Sequence, residues 1–94
     1  MEVSERLARW IAIEFGPGSA DQVLAALRSL STRQVGGQDP ERVQAALVVR
    51  TGGNWDRFVQ NRDLLEQDWR DVLVGAGLAN EDWPHCLDGI LGSA

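Results

Sequence analysis

Hydrophobic and polar positions recur along this chain with a helical period, and the longest consistent run is Asn54–Leu78. At about 100° per residue, Trp55, Phe58, Val59, Leu65, Trp69, Val72, Leu73 and Ala76 fall within an arc of roughly 140°. That is the apolar width of a helix packed against a core. Asp56, Arg57, Gln60, Asp63, Gln67, Asp68 and Asp71 occupy the opposite, solvated face. Asn54 is a good cap after the turn Thr51-Gly52-Gly53. At the far end, Gly77 predicts a left-handed cap with Leu78 folding back on Leu73. Glu66 precedes Arg70 by four residues, the favourable order for a helix ion pair. The pattern predicts one helix over about 54–75, the longest in the chain, or two collinear helices if Asn61 caps a second. Arg62 interrupts the apolar stripe, and Leu64 points out of it.

Earlier in the chain, Ser4 caps a predicted helix through about Phe15, with Val3, Leu7, Trp10 and Ile11 on one face and Glu14 one turn beyond Trp10. Gly16-Pro17-Gly18 ends it. Ser19 and Gln22 read as a capping box opening a helix to about Gln34, with Val23, Leu27 and Leu30 buried and Ala20 and Ala26 beside them. After the loop Val35–Gln38, Asp39 caps a third helix with Pro40 in its first position, running to about Thr51. Val43, Leu47, Val48 and Val49 spread most of the way round it, which predicts a central element touched on several sides. Arg50 falls on its Val43–Leu47 face. Asn80 or Asp82 caps a last helix whose first turn tolerates Pro84, with Trp83, Leu87 and Ile90 buried and Gly92 at its end.

The expected fold is therefore all-α: one compact domain over 1–94, bundle-like, with four to five helices, short glycine-containing loops and a frayed tail at 92–94. The alternative is α+β, pairing short strands near 11–15, where Ile11, Ile13 and Phe15 alternate, and 45–50.

With 94 residues there is room for a single modest core, and 44% hydrophobic against 24% charged content is globular rather than disordered. No apolar run approaches the roughly 18 residues of a membrane span. The first ten residues lack a basic leader and apolar core, and Cys86 stands alone, so a cytoplasmic location without disulfides is expected. A net charge of −5 disfavours a phosphate backbone as partner. All nine cations are arginine, which the codon bias of a GC-rich bacterial genome explains.

Candidate chemistry is sparse. His85 adjoins Cys86, but helical neighbours diverge by about 100° and do not form a nucleophile–base pair. One Cys and one His give no zinc spacing, and neither Gly36-Gly37 nor Gly52-Gly53 leads into a phosphate-binding motif. Asp68 and Asp71 share a surface that reads as solvated. The segment from Pro40 through Asn54 has a helix-turn-helix layout, but the acids of its second helix would face phosphate and repel it. Trp55, Trp69 and Trp83 recur every fourteen residues, each after Asn or Asp and before apolar residues three and four on, a spacing that reads as packing.

Three charged residues fall on faces predicted to be buried: Glu14, Arg50 and Arg62. Each must pair, snorkel or lie at an interface, and Glu14 paired with either arginine is the simplest arrangement. Trp10 and Trp69 are expected in the core, and Trp55 and Trp83, at helix starts, partly exposed. No catalytic, metal or cofactor residues are assigned, and an enzyme is not expected. The leading functional expectation is a small soluble bacterial interaction or accessory protein that meets a protein partner or a second copy of itself through a helical surface. A small-ligand binder or enzyme with a pocket near Glu14, Arg50 and Arg62 is one alternative. An acidic mimic of nucleic acid is the other.

Overall fold

A computed structural model describes residues 1–92. The described residues form helices α1 (Glu5–Arg28), α2 (Thr32–Val35), α3 (Pro40–Val48), α4 (Trp55–Gln67), α5 (Trp69–Ala76) and α6 (Trp83–Leu91), and no strand. The fold is all-α, with one helix more than the upper expectation. Residues 11–15 and 45–48 are helical, so the strand pairing does not form. Gly92 caps α6, and the rest of the expected frayed tail lies outside the described residues.

α1 contains the two N-terminal helices read from the sequence, joined across a kink at Gly16 (φ 74°, ψ 177°). Pro17 forces this break, because the residue before a proline is pushed out of the helical region. The second arm is already helical at Pro17 rather than starting at Ser19, so Ser19 lies inside it and forms no cap. That arm ends at Arg28, short of Gln34. The capping box that does form is Ser31–Gln34, which opens the single turn of α2.

α3 starts as expected, with Asp39 accepting from the Glu41 and Arg42 amides and Pro40 following it. It stops at Val48 rather than Thr51, and every residue from Val43 to Val48 is buried. α1, α4, α5 and α6 all pack on it. The carbonyls that a helix end leaves unpaired find partners here. The Thr51 hydroxyl and amide bond to Val48 O, and the Asn61 side chain donates to Leu47 O at 3.1 Å. Gln44, the one polar side chain in the buried run, donates to Glu2 O at 2.9 Å. Asn61 thus lies inside α4, links it to the end of α3, and starts no second helix.

The expected 54–75 helix is broken at Asp68, which adopts extended backbone (φ −155°, ψ 95°) and ends α4 while capping α5. Its carboxylate accepts from the Arg70 amide at 3.1 Å, the side-chain bond that makes Asp a competitor to helix continuation. Across the break the stripe stays turned inward at Phe58, Leu65, Val72, Leu73 and Ala76. Phe58 meets Phe15 edge-on, with centroids 6.5 Å apart. α5 closes as read from the sequence: Gly77 is left-handed, and the Leu78 amide reaches back to Leu73 O at 2.9 Å. In α6, Leu87 is buried, but Ile90 is exposed rather than on the buried line.

The turn before α4 contains the tightest backbone approach. Gly53 has φ 74°, and a Cβ added there would overlap the Glu14 carbonyl oxygen at the end of α1's first arm. Gly53→Ala therefore meets both a disfavoured φ and a backbone clash that no side-chain rotation relieves. It should destabilise the protein by about 2–3 kcal/mol in urea unfolding. Gly52→Ala, whose Cβ position is open, should cost less.

Candidate functional site

The charged residues picked out in the sequence do not converge. Glu14 is exposed; it is its backbone carbonyl, not its side chain, that the Gly53 turn packs against. Arg50 is exposed too, since α3 ends two residues before it and it leaves the Val43–Leu47 face. Its guanidinium lies over the end of α5, with Nη2 3.0 Å from where a Gly77 Cβ would stand. There it faces the negative pole of the α5 dipole. Arg62 is half-buried, with its guanidinium 5.9 Å from the Phe58 ring one turn back. It snorkels along its own helix, and neither Glu14 nor Glu66 pairs with it. A groove of about 250 Å³ between α3, α4 and α5 includes Arg50 but neither Glu14 nor Arg62.

All four tryptophans are half-buried, including Trp10 and Trp69, which were expected in the core. Trp55 lies tilted on Phe58, at 5.4 Å. Trp83 lies under Arg42, whose guanidinium carbon is 5.1 Å from its ring. His85 is exposed and Cys86 half-buried, as the helical pattern predicts. Partial burial, together with the neighbouring Asp82 carboxylate, holds the Cys86 thiol above its ordinary range, so it stays protonated at neutral pH. No group of three or more His, Cys, Asp or Glu among the described residues is placed to hold a metal. No helix among them is long and apolar enough to cross a membrane.

The polar cluster that does form centres on Arg6, which sequence patterning leaves unmarked. Its Nη2 and Nε bind the Glu41 carboxylate at 2.6 and 3.0 Å, the two-pronged geometry a planar guanidinium favours. Its Nη1 reaches Asp88 at 2.7 Å and the Gly92 carbonyl at 2.8 Å. Ser4 caps α1 and donates to Glu41 as well. One side chain thus ties the start of α1 to the first turn of α3 and the last of α6. With Arg6 only 13% exposed and Glu41 22%, this pair is shielded better than an ordinary surface bridge.

A more open surface begins at Arg42, the residue after Glu41 in the first turn of α3. Gln38, Arg42, Trp69, Arg70, Leu73, Val74 and Ala79 line a groove of about 340 Å³ between the start of α3 and the outer side of α5. Val74 is 64% exposed within it. Arg42 donates from Nε to Leu78 O at 2.8 Å and from Nη1 to Gln38 at 2.7 Å, in addition to its stack on Trp83. Arg70 stacks on Trp69, at 5.4 Å from the ring.

The Arg6 cluster has a pH signature. Its guanidinium hydrogen bonds, helped by the Ser4 hydroxyl, outweigh burial and hold Glu41 below the ordinary glutamate range, while Arg6 is raised and stays charged. A carboxylate depressed on folding contributes stability that is complete above its unfolded value and is lost as pH falls through the folded value. Arg6→Ala should cost about 2–3 kcal/mol at neutral pH. Its urea midpoint should also fall less steeply than that of the unsubstituted protein below about pH 5. Parallel acid limbs for the two proteins would contradict the assignment. No protein-family model, curated protein or solved structure matches this chain.

Proposed function

We propose that this chain is a small helical interaction protein that binds a protein partner through the outer face of α5. The observation that carries the reading is Val74, exposed in a concave groove beside half-buried Trp69 rather than alone on a convex surface. A scattered exposed apolar residue needs no explanation, and Ile13, 80% exposed outside this groove, is of that kind. Val74 differs because Leu73, Ala79 and the Trp69 ring continue its apolar surface into a depression that a partner side chain can fill. Tryptophan and arginine, the residue types that dominate binding energy at protein interfaces, border it.

The other side of α5 faces α3 and α4, where Val72 and Ala76 are buried. The outer face can therefore change without opening the core. Val74→Glu should leave circular dichroism unchanged and the unfolding free energy within about 0.5 kcal/mol. Immobilised protein and the Val74→Glu variant, exposed to lysate of the native cell, should then differ. Proteins retained by the former should fall about tenfold or more with the latter. Identical retained sets would contradict the proposal.

A further inference from the structure

The charge of the groove points to the chemistry of its occupant. It is lined by two arginines and no carboxylate, in a chain whose net charge is −5. Comparable depressions carry acids of their own: Asp71 in the groove beside Arg50 and Arg57, and Glu66 in the one beside Arg33. Both ion pairs among the described residues belong to Arg6, so Arg42 and Arg70 have no carboxylate partner. Each lies over an indole face, Arg42 over Trp83 and Arg70 over Trp69. Stacking fixes the guanidinium plane and leaves its N–H edges available. Arg70 donates no side-chain hydrogen bond, and Arg42 keeps Nη2 unused.

Building on the interaction reading above, we propose that the α5 groove docks an acidic, apolar segment of a partner protein. A large apolar side chain of that segment packs on Val74, Leu73 and Trp69, while a neighbouring Asp or Glu takes the edges of Arg70 and Arg42. Pre-stacked arginines lose little rotamer freedom on pairing, and a carboxylate matches the guanidinium fork. The acidic remainder of the chain repels such a segment at long range. At physiological salt that field is screened beyond about 8 Å, so the groove's own two cations decide at contact. Nucleic acid fits less well, because its many phosphates would meet the surrounding acids while the apolar floor went unused.

The test is selection of a random-peptide display library on the full chain, followed by fluorescence anisotropy of the enriched peptides. Enriched sequences should place Asp or Glu next to Leu, Ile, Phe or Trp. Their affinity should drop about tenfold or more with Arg70→Glu, fall with added salt, and stay unchanged with Arg57→Glu in the neighbouring groove. The Arg70 side chain makes no hydrogen bond, and its contact is with the neighbouring Trp69 ring, so that variant should keep its fold by circular dichroism. Enriched peptides without an excess of acids, yet lost with Val74→Glu, would overturn the acidic chemistry and leave the interaction reading in place. Peptides indifferent to both Arg70→Glu and Val74→Glu, or no enrichment over an inert protein, would overturn both. A particle of twice the chain mass in light scattering, reverting to one copy with Val74→Glu, would assign the groove to a second copy and also contradict the proposal.

Discussion

Burying a helix of nine residues on nearly every side is the constraint from which the rest of this structure follows. Six consecutive buried residues, Val43 to Val48, cannot be covered by one neighbour, and α1, α4, α5 and α6 are all drawn onto α3. Ala45 and Ala46 let those neighbours approach closely, and the helix interior needs few polar concessions. Gln44 is satisfied by the Glu2 carbonyl, and no buried side-chain nitrogen or oxygen among the described residues lacks a partner. The end of α3 is sealed by Thr51 and Asn61, and the chain turns there to begin α4 at Trp55.

Placing α3 at the centre divides the arginines into different tasks. Arg6 sits where α1, α3 and α6 meet and works as an ion-pair clip. Arg62 places its guanidinium over the Phe58 ring, and Arg50 lies over the end of α5. Arg42 and Arg70 lie over indoles and line a groove without a carboxylate. The same packing that turns Val72 and Ala76 inward leaves Val74 on the outside of α5. The open surface is thus a consequence of where the core is, and it can take a partner without disturbing that core.

Features carried by neighbouring residues were legible in the sequence. Asp39-Pro40, Asn54 and Gly77-Leu78 behave as local chemistry dictates, because cap geometry depends on three or four adjacent residues. The break at Asp68 was also written in the chain, in a signal read as packing. Trp55, Trp69 and Trp83 each begin a helix, directly after Asn54, Asp68 and Asp82, so the fourteen-residue spacing is a spacing of helix starts. An apolar stripe that continues in phase across a break hides it from periodicity alone. Ser19–Gln22 and Ser31–Gln34 offer the same box pattern. Only the second forms, because Pro17 has already started the helix around the first. Arg6 was beyond reach, since its partners lie 35 and 82 residues away and nothing in its local sequence distinguishes it from the other arginines. Glu14 and Arg50 misled for a related reason: a helical wheel assumes the cylinder continues, and both sit where it stops.

If α3 is the buried axis of the fold, its amides can reach solvent only when the whole structure opens. Native-state hydrogen exchange measured across low denaturant concentrations tests this directly. The amides of Val43–Val48 should be the slowest in the chain, with an opening free energy and denaturant slope equal to those of global unfolding. Exchange of these amides through a smaller opening, while those of α1 and α4 remain protected, would show that the core is organised around another element and would contradict this account.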